Sequence, residues 1–280
     1  MDRQSRFRFR PQLEALEDRS LPNNFFSPWG GVGPDLLGPS HKDDDDQLVA
    51  AVSALDARNN PGVAPVQSKT DGASYAEWSA RWWQYALSVS ADKSPFLDLT
   101  GANFAVGQSG NVWYLSGVIV FSSPGQPLPP GQVNTVVRDV TLPSGTSLFF
   151  PVLNTEFDNL IPGGPNTTFT ADQLRAFAQA TMASAENMQV QIDGRPVVDL
   201  SHYDVTSPVF SYTLPDNNID TFLTGVNVRA QTVSPVVGDG VYLMLRPLSV
   251  GEHTIHFSGD FGPGNFALDV TYHITVTPGH

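Results

Sequence analysis

The alternation of apolar and polar positions divides the chain into a body with strong periodicity and a leading part with little. In "DGASYAEWSARWWQYALSVS", Tyr75, Trp78, Trp82, Tyr85 and Val89 recur at i+3 and i+4 spacing. This predicts a helix with one wide aromatic stripe. Ser74 followed by Glu77 forms the capping-box pattern that starts it. "TFTADQLRAFAQATMASAENM" predicts a second helix with Thr170 as cap, Asp172 near its positive end, and Leu174, Phe177, Ala178 and Met182 as its stripe. Strands are predicted at Asn111 to Phe121 and Thr146 to Leu153, and both runs are apolar on both faces. One face of such a strand meets an opposing sheet, and the aromatic helix is the natural lid for the other. Shorter strands are expected at Gln189 to Asp193, Val209 to Leu214, Asn227 to Thr232 and Val241 to Leu245.

The C-terminal run "GEHTIHFSGDFGPGNFALDVTYHITVTPG" predicts two strands around a Gly-rich turn. Phe266, Leu268, Val270, Tyr272, Ile274 and Val276 share one side, and Asp269, Thr271 and His273 lie on the other. Strict alternation of this kind means one dry face and one wet face. The fold class expected is mostly β: an antiparallel β-sandwich over 71–280 with two added α-helices. The segment 23–70, with its Gly/Pro runs and the acidic block Asp43 to Asp46, is expected to be a disordered linker. Within it, Gln47 to Leu55 has the spacing of two helical turns.

The first 22 residues lack the continuous apolar run of a conventional secretory signal, because Glu14, Glu17, Asp18 and Arg19 interrupt Leu13, Leu16 and Leu21. The string Leu13-Glu14-Ala15-Leu16-Glu17, followed by Arg19 and Leu21, resembles the LEPR-XLL-type N-terminal motif of exported planctomycete proteins. Asp18 stands where that motif has Pro, and Pro22 where it has a second Leu. The resemblance implies sorting at the cell envelope, hence an extracellular or envelope location. The phrase "PLSVGEHTIHF...GNFALDVTYHITV" resembles the terminal hairpin of bacterial immunoglobulin-like domains. The longer stretch from Trp78 through "GNVWYLSG" and "YLMLRPLSVGEHTIHF" resembles an uncharacterised family of exported bacterial proteins. In that family Cys stands near the positions of Phe104 and Asp139, so the resemblance implies a disulfide that this chain lacks.

Composition narrows the chemistry. The formal net charge is -13, and from Asp71 onward seven Lys or Arg stand against eighteen Asp or Glu. Such a body repels phosphate backbones, so nucleic acid is not an expected partner. With no cysteine, thiolate metal sites and cysteine nucleophiles are excluded. No apolar run approaches the roughly 18 residues of a membrane-spanning helix. The Gly-x-Ser-x-Gly elbow, the phosphate loop and His-Glu-x-x-His are all absent.

The remaining candidates are few. Trp78, Trp82 and Trp83 would stack on sugar rings if exposed, and would be core if not. Glu156 and Asp158, two apart past a buried strand, are candidate paired carboxylates or a solvated strand end. Asp216, Asn218 and Asp220 match the opening of a calcium loop, although Thr221 stands where that loop has Gly; the alternative is an Asx-rich turn. On the wet face of the hairpin, parity allows His256 beside Asp269 and Glu252 beside His273. These four would hold zinc or another divalent ion, or else form ordinary cross-strand pairs. The expected function is an exported or envelope-associated structural or binding β-sandwich, with an envelope protein or polysaccharide as partner. The alternative is a carbohydrate-active hydrolase or lyase with its site in inter-sheet loops.

Overall fold

The central strand of the protein is the one apolar on both faces. In a computed structural model that describes residues 59–279 apart from 61, 124–125, 130 and 161–167, it is β5. Twelve strands are present among the described residues: β1 (Val112–Tyr114), β2 (Phe121–Ser123), β3 (Gln126–Pro127), β4 (Val133–Pro143), β5 (Ser147–Asp158), β6 (Glu186–Ile192), β7 (Arg195–Pro196), β8 (Asp204–Thr206), β9 (Phe210–Leu214), β10 (Gln231–Leu245), β11 (Gly251–Asp260) and β12 (Ala267–Thr277). The helices are α1 (Tyr75–Ser88), α2 (Ala171–Met182) and α3 (Ile219–Thr224). The first sheet runs β1-β5-β10-β8, with β9 also on β10; the second runs β4-β12-β11-β6-β7. Most neighbours are antiparallel, but β1 pairs β5 and β4 pairs β12 in parallel. The expectation of a β-sandwich with added helices holds, with α3 as a third, short helix.

β5 is apolar all round because two layers cover it. Phe150 meets Phe257 of β11 at 5.2 Å between ring centroids. Phe149 points the other way, to Tyr75 and Trp78 of α1 at 5.8 and 6.3 Å. The aromatic helix is therefore the lid on the face of the first sheet that the second sheet leaves open. Both parts of its predicted capping box form: Glu77 N donates to Ser74 Oγ at 3.3 Å, and Ser74 N donates to Glu77 Oε2 at 2.8 Å. Gly238 of β10 lets α1 approach closely, since a Cβ there would lie 2.8 Å from Trp83 Nε1. Val237, one residue earlier and facing the other way, packs with Phe157, Leu174 and Ala178 beneath α2. Thr170 caps α2, and Gln173 completes a capping box there too.

Three expectations are corrected. The run Asn111 to Phe121 is not one strand. After β1 its backbone leaves the sheet, with Ile119 N donating to Phe96 O at 2.8 Å and Ser116 N to the Tyr272 hydroxyl at 3.1 Å. Leu115, Val118 and Ile119 are buried because the segment threads between layers. The linker boundary at 70 is also too late. Val63 and Ala64 are buried, Val63 bridges Leu245, and Ala64 N donates to Met244 O at 2.8 Å. Finally, β10 is one strand of 15 residues rather than two short ones. The N-terminal motif, the Asp43 to Asp46 block and the segment Gln47 to Leu55 lie outside the described residues.

Candidate functional site

The three tryptophans offer no open ring face. Trp82 is fully buried, and its Nε1 donates to Leu115 O at 2.8 Å. Trp83 is buried against Trp82, with ring centroids 4.9 Å apart. Trp78 donates from Nε1 to Thr70 O at 2.9 Å, and the Arg81 guanidinium lies 4.5 Å from its ring centroid. All three are core, as burial of large aromatic area favours. A cavity of about 20 Å³ beside Trp82, Phe96 and Leu268 has room for about one water.

Glu156 and Asp158 share a face of β5. Asp158 is buried, accepting from the Tyr212 hydroxyl at 2.6 Å and from Leu160 N at 2.6 Å. It ties the end of β5 to β9, so the solvated-end reading is corrected for this residue. Glu156 is half-buried opposite Gly238.

The calcium-loop pattern resolves into a helix start. Asn218 is fully buried; its Oδ1 accepts from Thr221 N at 2.9 Å, and its Nδ2 donates to Pro215 O at 2.9 Å and Val228 O at 2.7 Å. With every polar atom of its side chain committed to the backbone, Asn218 is the cap of α3 rather than a cation ligand. Asp216 is exposed and Asp220 is half-buried in the first turn of that helix.

The wet face of the hairpin is where the sequence placed it. His256 Nε2 lies 3.2 Å from Asp269 Oδ1, as parity predicted. His273 does not meet Glu252. Its Nδ1 lies 3.1 Å from Asp139 Oδ1 on β4, a parallel neighbour the sequence did not reveal, while Glu252 accepts from Thr275 Oγ1 at 3.0 Å. The four expected metal ligands are thus divided among separate pairs. Among the described residues no group of three or more His, Asp or Glu is arranged to hold a metal ion.

Two carboxylates escaped the sequence reading. Asp239 of β10 and Asp204 of β8 lie on one face, because Asp239 opposes Thr206 and Val241 opposes Asp204. Asp239 is buried and accepts from Thr206 Oγ1 at 2.7 Å; Gln179 of α2 donates to that same hydroxyl at 3.1 Å. Asp204 is exposed at its surface, but partial desolvation of its carboxyl first, and then the Asp239 charge, push it up to about 6. Burial also raises Asp239, against the opposing hydrogen bonds from Thr206 and Gly240. The available signal was an acid between two glycines inside the apolar run Val236 to Leu245.

No sequence pattern pointed to Arg138, which is inward-facing and buried on β4. Its guanidinium donates to Asp98 O at 2.6 Å, Ser116 O and Pro95 O at 2.8 Å, and Gly117 O at 3.2 Å, and also to the Tyr272 hydroxyl. It staples the irregular 95–117 segment to the second sheet by donating to four of its backbone carbonyls, two of which, those of Pro95 and Ser116, also accept from Ser116 Oγ and the Tyr272 hydroxyl.

No known protein-family profile matches the chain, and no curated protein sequence does. Among solved structures there is a likeness to PbICP-C, from the structure of its complex with falcipain-2. It is 12% identical, covers 60% of this chain and 100% of that one, and has a TM-score of 0.23. A likeness at that level carries no argument about this protein.

Proposed function

We propose that this protein is an exported or envelope-associated β-sandwich that acts by binding or as a structural element, not by turnover. The observation that carries this reading is where the chemistry-bearing side chains go. The tryptophan stripe, Asp158, Asn218 and Arg138 are all consumed inside the fold. Outward stand the polar face of the second sheet, with Asp139, Glu252, His256, Asp269 and His273 held in short pairs, and Asp204 beside Asp239 on the first. Flat faces with complementary charge suit recognition of another macromolecule better than enclosure of a small substrate. The envelope location rests on the resemblance of the opening segment.

The test has two arms. Cells producing the full chain are fractionated and the protein is followed by antibody; recovery in the envelope or medium is expected, and confinement to the cytoplasm would overturn the location. Purified protein is then incubated with a panel of polysaccharides and release of reducing ends is measured. No release is expected, and turnover lost in Glu156→Gln would install the hydrolase reading instead.

A further inference from the structure

β4 is a long edge strand, and part of its edge is open. Among the described residues it pairs only with β12, in parallel. Its burial alternates strictly, with Asn134, Val136, Arg138, Val140 and Leu142 inward and the odd-numbered positions outward. Backbone direction alternates in the same register. Ser144 N donates to Thr277 O at 2.8 Å, so the even positions address β12; Asp139 N donates to Thr100 O at 3.3 Å, so the odd positions address the far side. The 98–101 loop closes that far side at Asp139, where a Cβ on Gly101 would lie 2.7 Å from Asp139 O. N-terminal to it, no described residue takes up the main-chain N–H or C=O of Thr135 or Val137.

Beyond the inward Arg138 and the 98–101 loop, the protections that usually blunt such an edge are missing. Between Val133 and Leu142 there is no Lys, no Pro and no bulge. Instead, large apolar side chains stand exposed along it: Val133 at 49%, Val137 at 51% and Leu99, beside the loop contact, at 51%. Main-chain donors and acceptors two residues apart, flanked by β-branched side chains, match one kind of ligand, an extended strand.

Charge selects which strand. No Lys occurs on β4, β12, β11 or β6, and their one Arg, Arg138, is turned inward and buried. The side chains of Asp139 and Asp269 stand 84% and 44% exposed on the adjoining face. A second copy of the chain is a poor occupant. It brings the same charge of -13, and the open stretch is far too short to bury the roughly 1,200 Å² a stable pair needs. We propose that the free edge of β4, at Val133 to Val137, is a strand-addition site for an extended, basic segment of a partner protein. This deepens the binding reading above and rests on it for the existence of a partner.

The test uses the purified full chain and a synthetic probe, acetyl-Lys-Thr-Val-Thr-Val-Lys-amide. In free protein the Thr135 and Val137 amides are expected to exchange with solvent rapidly; protection of both would overturn the open edge. On titration, saturable shifts are expected at these two amides. Affinity should fall by about tenfold or more in Val137→Pro, which removes one outward donor, and similarly when Glu replaces Lys in the probe. Val137→Lys, on an exposed position, serves as a second variant, and an unchanged Tyr272 ring signal confirms that each variant is folded. Shifts elsewhere, or unchanged affinity in both variants, would refute the site. Concentration-dependent dimers lost in Val137→Pro would give the edge to a second copy instead. Because the titration needs no cell, its failure is distinct from a failure of the envelope location.

Discussion

The guanidinium of Arg138 lies over the ring of Tyr272, 5.3 Å from its centroid, and both side chains donate to the carbonyl of Ser116, at 2.8 and 3.0 Å. A buried cation is here solvated by main-chain oxygens rather than by a carboxylate. Arg138→Leu removes one donor from each of these buried carbonyls, at a cost of about 3–5 kcal/mol in urea unfolding. Arg138→Lys keeps the charge but not the planar fork, and should lose less. Equal stability of the Arg138→Leu variant and the wild type would show that the staple is dispensable.

The lid helix makes a separate prediction. Trp82→Ala removes a fully buried ring together with its hydrogen bond to Leu115 and should cost about 3–5 kcal/mol. Gly238→Ala presses a methyl group against Trp83 and should cost about 1–3 kcal/mol. The two sites share one interface, so their losses are expected to be non-additive. A double-mutant cycle by chemical denaturation reads this directly.

Acid pH should stabilise the β8–β10 region. Asp204 titrates at about 6 in the folded protein against an ordinary value of 3.8, so the fold favours its protonated form. Stability from this group therefore falls as pH rises from about 4 to about 6 and stays reduced above that. Asp204→Asn should raise the melting temperature at pH 7 and flatten its slope between pH 4 and 6. A variant whose slope matches wild type would assign the effect elsewhere.

At the β6–β7 turn, His253 of β11 gives a linkage of the same sign, and its partner Asp193 gives the opposite one. Partial burial disfavours the His253 imidazolium, but the Asp193 carboxylate at 2.8 Å and the Ser249 carbonyl outweigh it and raise its pKa. Asp193, likewise partly buried, is lowered overall by His253 and by the Thr254 N–H. The His contribution is complete below about 6.5 and is lost as pH rises through the folded value; the Asp contribution is lost as pH falls below about 3.8. His253→Gln should therefore cost stability at pH 5 and almost none at pH 9. Asp193 is nearly half exposed, so the effect is small.

The elements that could be read from sequence are those whose partners are local or whose environment is uniform. Ser74 with Glu77 announced α1, and the alternation from Leu268 to Val276 announced β12, because capping and pleating act over a few residues. β4 escaped because an edge strand built of Val, Asn, Thr and Arg lacks a continuous apolar side, and its inward polar residues are satisfied from afar. Arg138 reaches Pro95, and Asn134 accepts from Val120 N at 2.9 Å. β10 was divided because Pro235, Gly238 and Gly240 interrupt the pattern where close packing, not propensity, dictates the residue. The pairing of His273 with Asp139 needed that missing strand. The Asp204–Asp239 pair needed strand order, which no local pattern encodes.

The parallel ladder between β4 and β12 joins positions as far apart as Arg138 and Tyr272, 134 residues along the chain. During synthesis β4 would emerge long before β12, its one neighbour among the described strands, with Arg138 and its inward neighbours facing no layer. Such a topology gives the nascent chain little to gain from early order, and closing so long a loop makes folding slow. The second sheet is thus completed only once β12 is free to pair with β4.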